Sequence, residues 1–143
     1  MTQKQAQAAR PKPRETNGTT VVLDAKKTST NAYKGMHLVA GNDVTVQKIS
    51  DLTMLFDMDK YMYAEESTHF WLSKASGSQE KSKTVIYLDE GATLNRIVNP
   101  LENGAVYQVD TPNSTMAVRG TVFRVEVREG KDGKIYTYLA VLN

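Results

Sequence analysis

Asp57 and Asp59, two positions apart with Glu65 and Glu66 close behind, are the first residues whose types and spacing suggest chemistry. On a strand, positions two apart share a face, so the carboxylates could converge as a cation site or an acid/base pair. A calcium loop needs more oxygen ligands and a glycine turn, and Met58-Asp59-Lys60 supplies neither. A solvated strand face explains the same spacing more simply. His37 and His69 lie far apart without ligand spacing, and the chain has no cysteine, so no transition-metal site, disulfide or thiol chemistry is expected. There is no Gly-x-Ser-x-Gly elbow, phosphate loop or dinucleotide fingerprint. The expectation is a protein with no catalytic residues, no metal and no cofactor, and not an enzyme.

Binding is the better question. Tyr61, Tyr63, Phe70 and Trp71 form the one aromatic concentration. Core packing explains such a set, but Tyr and Trp also mark contact surfaces, which makes Tyr61, Tyr63 and Trp71 candidate binding residues. Arg119, beside Gly120 and Thr121 between apolar segments, has two readings. Its rigid fork of donors could pin a strand junction, or it could hold a ligand. Asn17-Gly18-Thr19 and Asn113-Ser114-Thr115 match the N-glycosylation sequon, which matters only in a eukaryotic secretory host.

The elements that must position these residues read as strands. Turn signals recur every eight to twelve residues or so, the spacing of an all-β domain. Thr19–Ala25 is the first β-like segment, and Met36–Ala40 reads as a strand closed by Gly41-Asn42-Asp43. Asp43–Ile49, Leu52–Met58 and Tyr61–Tyr63 follow, then His69–Leu72 as a short aromatic strand. Thr84–Leu88 is apolar on both faces and therefore central, with Asp89-Glu90-Gly91 as the turn after it. Ala105–Val109 leads to a break at Thr111-Pro112, because proline removes a donor and fixes φ. From Thr121 onward Phe123, Val125 and Val127 point one way while Arg124, Glu126 and Arg128 point the other. Gly130 and Gly133 mark a hairpin loop, and Ile135–Leu142 returns as the partner strand. The expected fold is a compact domain of many short, mostly antiparallel strands, as a β-sandwich or a short solenoid-like stack.

Charge divides the chain. Residues 1–34 carry seven basic and two acidic groups, a balance of +5, whereas residues 35–143 carry eleven and fourteen, a balance of −3. Residues 1–18, polar and interrupted by Pro11 and Pro13, are expected to be a disordered linker, with the folded domain spanning 19–143. The basic tail is either a solvated linker or a contact for anionic polymer. No run approaches the roughly 18 apolar residues of a membrane span, and the N-terminus has no signal-peptide core.

One stretch resembles a known family. Thr111-Pro112, a small-residue stretch, then Val118-Arg119-Gly120-Thr121 with Phe123 and Val125 is similar to the signature of the FecR domain family of bacterial envelope proteins. Gly35–Val44 and Leu88–Gly91 with Ile97-Val98 resemble that family's looser upstream segments, so the likeness covers about residues 35–142. It implies an extracytoplasmic sensor or regulator at the cell surface or in the periplasm, acting in signal transduction through an envelope protein partner. It further implies a membrane anchor outside this sequence and a chain that continues into a glycine and another strand. No catalytic residue attaches to the signature, whose residues are expected to be structural. The alternative is a carbohydrate- or wall-polymer-binding module that uses the aromatics and the basic tail; no nucleic-acid partner is expected.

Overall fold

A computed structural model describes residues 11–57, 59–76, 82–98, 101, 104–117 and 122–142. Among them there is no helix, hence none long and apolar enough to cross a membrane. The described residues form twelve strands: β1 (Lys12–Asn17), β2 (Thr20–Leu23), β3 (Ser29–Asn31), β4 (Asp43–Val46), β5 (Asp51–Phe56), β6 (Lys60–Ala64), β7 (Thr68–Ser76), β8 (Lys83–Ile97), β9 (Val106–Thr111), β10 (Ser114–Ala117), β11 (Val122–Glu129) and β12 (Ile135–Leu142).

Strand β8 is the spine. Its first half, Lys83–Glu90, pairs antiparallel with β7 and parallel with β9. Its second half, Gly91–Ile97, pairs antiparallel with β6 and β11. The switch falls at Gly91, whose φ of +97° belongs to glycine and whose Cβ, if present, would lie 2.5 Å from Thr68 Cα. Thr68 holds the bend: its Oγ1 accepts from the Ala92 N–H at 3.0 Å and donates to the Ala92 carbonyl at 3.2 Å. The Asp89-Glu90-Gly91 stretch is thus a bend within one long strand, where the sequence suggested a turn.

On one side lies the layer β1-β5-β6-β8-β11-β12, and on the other β3-β2-β4-β7-β8-β9-β10. Alternation along the strands buries one face of each: Leu52, Met54 and Phe56 on β5, Val44 and Val46 on β4, Phe123, Val125 and Val127 on β11. These residues meet in a single core. Tyr107 on β9 bridges the layers, edge-on to Phe56 at 5.9 Å and to Phe123 at 6.4 Å, with its hydroxyl donating to Asn95 Oδ1 at 2.6 Å. The result is an all-β, mostly antiparallel sheet that curls through β8 so that its two layers face one core, the expected fold class.

Two local expectations change. Lys12–Asn17, inside the stretch read as linker, is strand β1 paired with β5; the rest of that stretch, residues 1–10, lies outside the described residues. Pro13 is tolerated because β1 is an edge, where a missing N–H leaves no ladder bond unmade. Met36–Ala40 is not a strand but a loop, in which Leu38 plugs the core and its N–H donates to the Pro11 carbonyl at 2.9 Å.

Candidate functional site

The outer face of the β1-to-β12 layer collects the exposed functional groups. In β1 the register slips between Pro13 and Glu15, which pair with Met54 and Thr53, so Arg14 is the extra residue of a bulge. A bulge re-aims a side chain, and here Arg14 reaches β6, where its Nη1 donates to Tyr61 Oη at 3.0 Å with the guanidinium 5.3 Å from the ring centre. On β6, Tyr61 and Tyr63 point outward while Lys60, Met62 and Ala64 point into the core. Cross-strand register then sets one row of neighbours, Leu55, Tyr61, Arg96, Val122 and Leu142, and a second row, Thr53, Tyr63, Leu94, Arg124 and Ala140. Arg14, Glu15, Tyr61, Tyr63, Arg96 and Val122 are among the residues that line a groove of about 460 Å³.

Charge on this face is uneven. Arg124 is neutralised by a two-pronged bond to Glu65, at 2.9 and 3.1 Å, and by Glu126 at 3.1 Å. Those bonds raise the Arg124 guanidinium well above its ordinary value. Among the described residues, Arg14 and Arg96 form no ion pair. Burial, with Asp51 and Glu65 nearby, raises the Tyr63 phenol.

The row ends at β12, which among the described residues pairs only with β11. Ile135, Tyr136, Tyr138, Leu139, Val141 and Leu142 are all exposed, with Leu139 and Val141 at 52% and 56% although they share the inward face with Val125 and Phe123. Arg128 lies over the Tyr138 ring at 4.8 Å. At its start β12 is braced by the Thr111-Pro112-Asn113-Ser114 turn between β9 and β10. Thr111 and Thr137 hydroxyls meet at 3.0 Å, and Asn113 Nδ2 donates to the Ile135 carbonyl at 3.0 Å.

Asp57 and Asp59 do not share a solvated strand face. They sit in the turn between β5 and β6, with Asp57 at φ +47° and buried. Lys60 Nζ lies 2.8 Å from Asp57 Oδ2 and 2.9 Å from Asp59 Oδ1, and Ser82 Oγ donates to Asp57 Oδ2 at 2.7 Å. An ammonium of the chain itself thus fills the place considered for a cation. Burial, with Asp59 beside it, raises the Asp57 carboxyl despite the bonds from Lys60 and Ser82. Burial opposes the Lys60 charge, but Asp57 and Asp59 outweigh it and raise the ammonium. Nothing in the sequence pattern announced burial here, although Lys60 three residues after Asp57 was a visible partner.

The opposite layer holds a second cluster. His69 sits between two carboxylates, its Nε2 2.8 Å from Asp43 Oδ2 and its Nδ1 3.1 Å from Asp89 Oδ2. Burial disfavours the imidazolium, but the two carboxylates prevail and raise its pKa. Trp71 stacks on Tyr87 with ring centres 4.1 Å apart.

Of the residues singled out from sequence, Tyr61 and Tyr63 therefore come together on one face, and Trp71 lies on the other layer. Thr111 and Pro112 form the turn that braces β12, and Phe123 is a fully buried core residue. Val118, Arg119, Gly120 and Thr121 lie outside the described residues. Sequence reasoning passed over Arg14, Arg96 and the exposure of β12. Arg14 depends on a bulge, and the apolar run of β12 reads as core until its exposure is known.

Residues 27–139 match the family model described as FecR protein. No curated protein and no solved structure matches the chain.

Proposed function

The chain belongs to the FecR protein family, and on that premise we propose that it is a non-catalytic module of envelope signalling that docks another envelope protein along strand β12. The reading makes it an extracytoplasmic regulator, at the cell surface or in the periplasm, held near a membrane in the cell.

The observation that carries it is the contrast between the four sheet edges among the described residues. Strand β3 has three residues and β10 has four, too short to template much pairing. Strand β1 is blunted by Pro13, by charged residues and by its bulge. Strand β12 runs eight residues, Ile-Tyr-Thr-Tyr-Leu-Ala-Val-Leu, with no charge, no proline and both faces exposed. Such an edge invites association unless something covers it. An extended segment of a partner, uncharged and rich in aliphatic or aromatic side chains, would add as the next strand, with backbone bonds giving affinity and alternate side chains giving specificity.

Leu139→Lys tests this, because it places a charge on the inward side of the edge at a position that is already 52% exposed. The variant is expected to melt like the parent and to lose its envelope partner in co-purification from membrane extract. Retained partner with an unchanged melt would remove β12 from the reading. The wall-polymer alternative predicts the reverse pattern: glycan binding that Leu139→Lys leaves alone.

A further inference from the structure

Beyond protein docking, the geometry points to the groove between β1, β6, β8 and β11 as a binding site for a small amphiphilic anion, one carboxylate or phosphate group on an apolar body. Two arginines flank the same aromatic residue in the groove. Arg14, delivered by the β1 bulge, bonds Tyr61 Oη at 3.0 Å, and Arg96 stands directly across the β6–β8 ladder from Tyr61. Neither has a carboxylate partner among the described residues, whereas Arg124, one row over on the same face, takes up Glu65 and Glu126. Glu65 and Glu126 are thus taken up by Arg124, and the groove lining sets two arginines against the single carboxylate of Glu15, with Asp51 beside Tyr63.

The fork of Arg96 suits two oxygens of a carboxylate or phosphate, and Arg14, held against Tyr61, loses little freedom in joining it. Apart from Thr53 and Glu15, the rest of the lining is apolar or aromatic: Tyr63 at 38% exposure, Leu94, Val98 and Val122. A bare inorganic ion would leave that surface unused. An anion carrying an apolar body would cover it, and the volume of about 460 Å³ accommodates a single ring with its substituent.

The test is titration of the whole chain, followed by amide chemical shifts, with phenyl phosphate, benzoate, inorganic phosphate and neutral benzyl alcohol. The expected result is saturable shifts at Tyr61, Arg96 and Val122 with phenyl phosphate or benzoate, at concentrations on the order of millimolar. Which of the two binds tighter identifies the anionic group. Inorganic phosphate and benzyl alcohol should each bind at least about tenfold more weakly, since each supplies half of the recognition. Arg96→Gln should weaken binding about tenfold or more, Arg14→Gln less, and Arg128→Gln, which alters an arginine outside the groove, not at all. Both groove arginines are exposed, so each variant should retain the parent spectrum elsewhere. Failure of all four probes to shift these amides, or equal binding by parent and Arg96→Gln, overturns the assignment. Neither result bears on β12, whose partner is tested separately.

Discussion

Lys60 Nζ lies 2.8 Å from Asp57 Oδ2, and both side chains are sealed from solvent, at 3% and 1% exposure. A buried charge with no partner is far more costly than the pair is helpful, so the two residues depend on one another. Lys60→Met should destabilise the domain by about 3–5 kcal/mol, and Asp57→Asn with Lys60→Met together should cost less than Lys60→Met alone. Denaturant melts of the two variants check this. Because the ammonium occupies the turn, chelator and added calcium should leave the melting temperature where it was. A rise with calcium would contradict the arrangement.

Phe123 and Tyr107 tie the layers together. Phe123→Ala should cost about 3–5 kcal/mol, as expected for a fully buried ring. Tyr107→Phe keeps the ring but strips the Asn95 carbonyl oxygen of its donor, and should cost about 1–3 kcal/mol. A Phe123→Ala midpoint equal to the parent's would contradict the inward face of β11.

Gly91 lets β8 change layers. With φ at +97° and Thr68 backbone in the space a Cβ would need, Gly91→Ala should cost about 2 kcal/mol or more. An unchanged midpoint would mean that the bend does not need glycine.

His69 makes stability depend on pH. Its pKa is raised from 6.5 because Asp43 and Asp89 together outweigh the cost of burying the imidazolium. A raised folded pKa gives a stabilising contribution that is complete below about pH 6.5 and lost as pH climbs through the folded value. The parent should therefore lose more stability across that interval than His69→Gln does. Parallel curves for the two would contradict the clamp.

The sequence carried the fold where alternation and turn chemistry agreed. Phe123, Val125 and Val127 against Arg124, Glu126 and Arg128, closed by Gly130 and Gly133, marked the β11–β12 hairpin, which pairs from Val122↔Leu142 to Glu129↔Ile135. It failed where a local signal had two uses. Glycine at 91 marks a turn in most strands but here bends one strand between two layers, and Pro13 argues against a strand unless that strand is an edge. The apolar run Met36–Ala40 had strand-like composition but no ladder partner, so it became a plug. Site residues were half legible for the same reason. Tyr61 and Tyr63 share a face by period two, which sequence reveals. The neighbours that give that face its charge, Arg14 and Arg96, come from strands 47 and 35 positions away from Tyr61 in the chain, brought together by register alone.

The claim on which the functional reading turns is that a partner's strand lies along β12. Photo-crosslinking in intact cells tests it most directly, with the reactive residue placed at Tyr138 on that edge or, for comparison, at Thr30 on the exposed β3 edge. The account predicts a discrete adduct with one envelope protein from position 138, none from position 30, and loss of the adduct on adding Leu139→Lys. Adducts of equal yield from both positions, or none from 138, would contradict it.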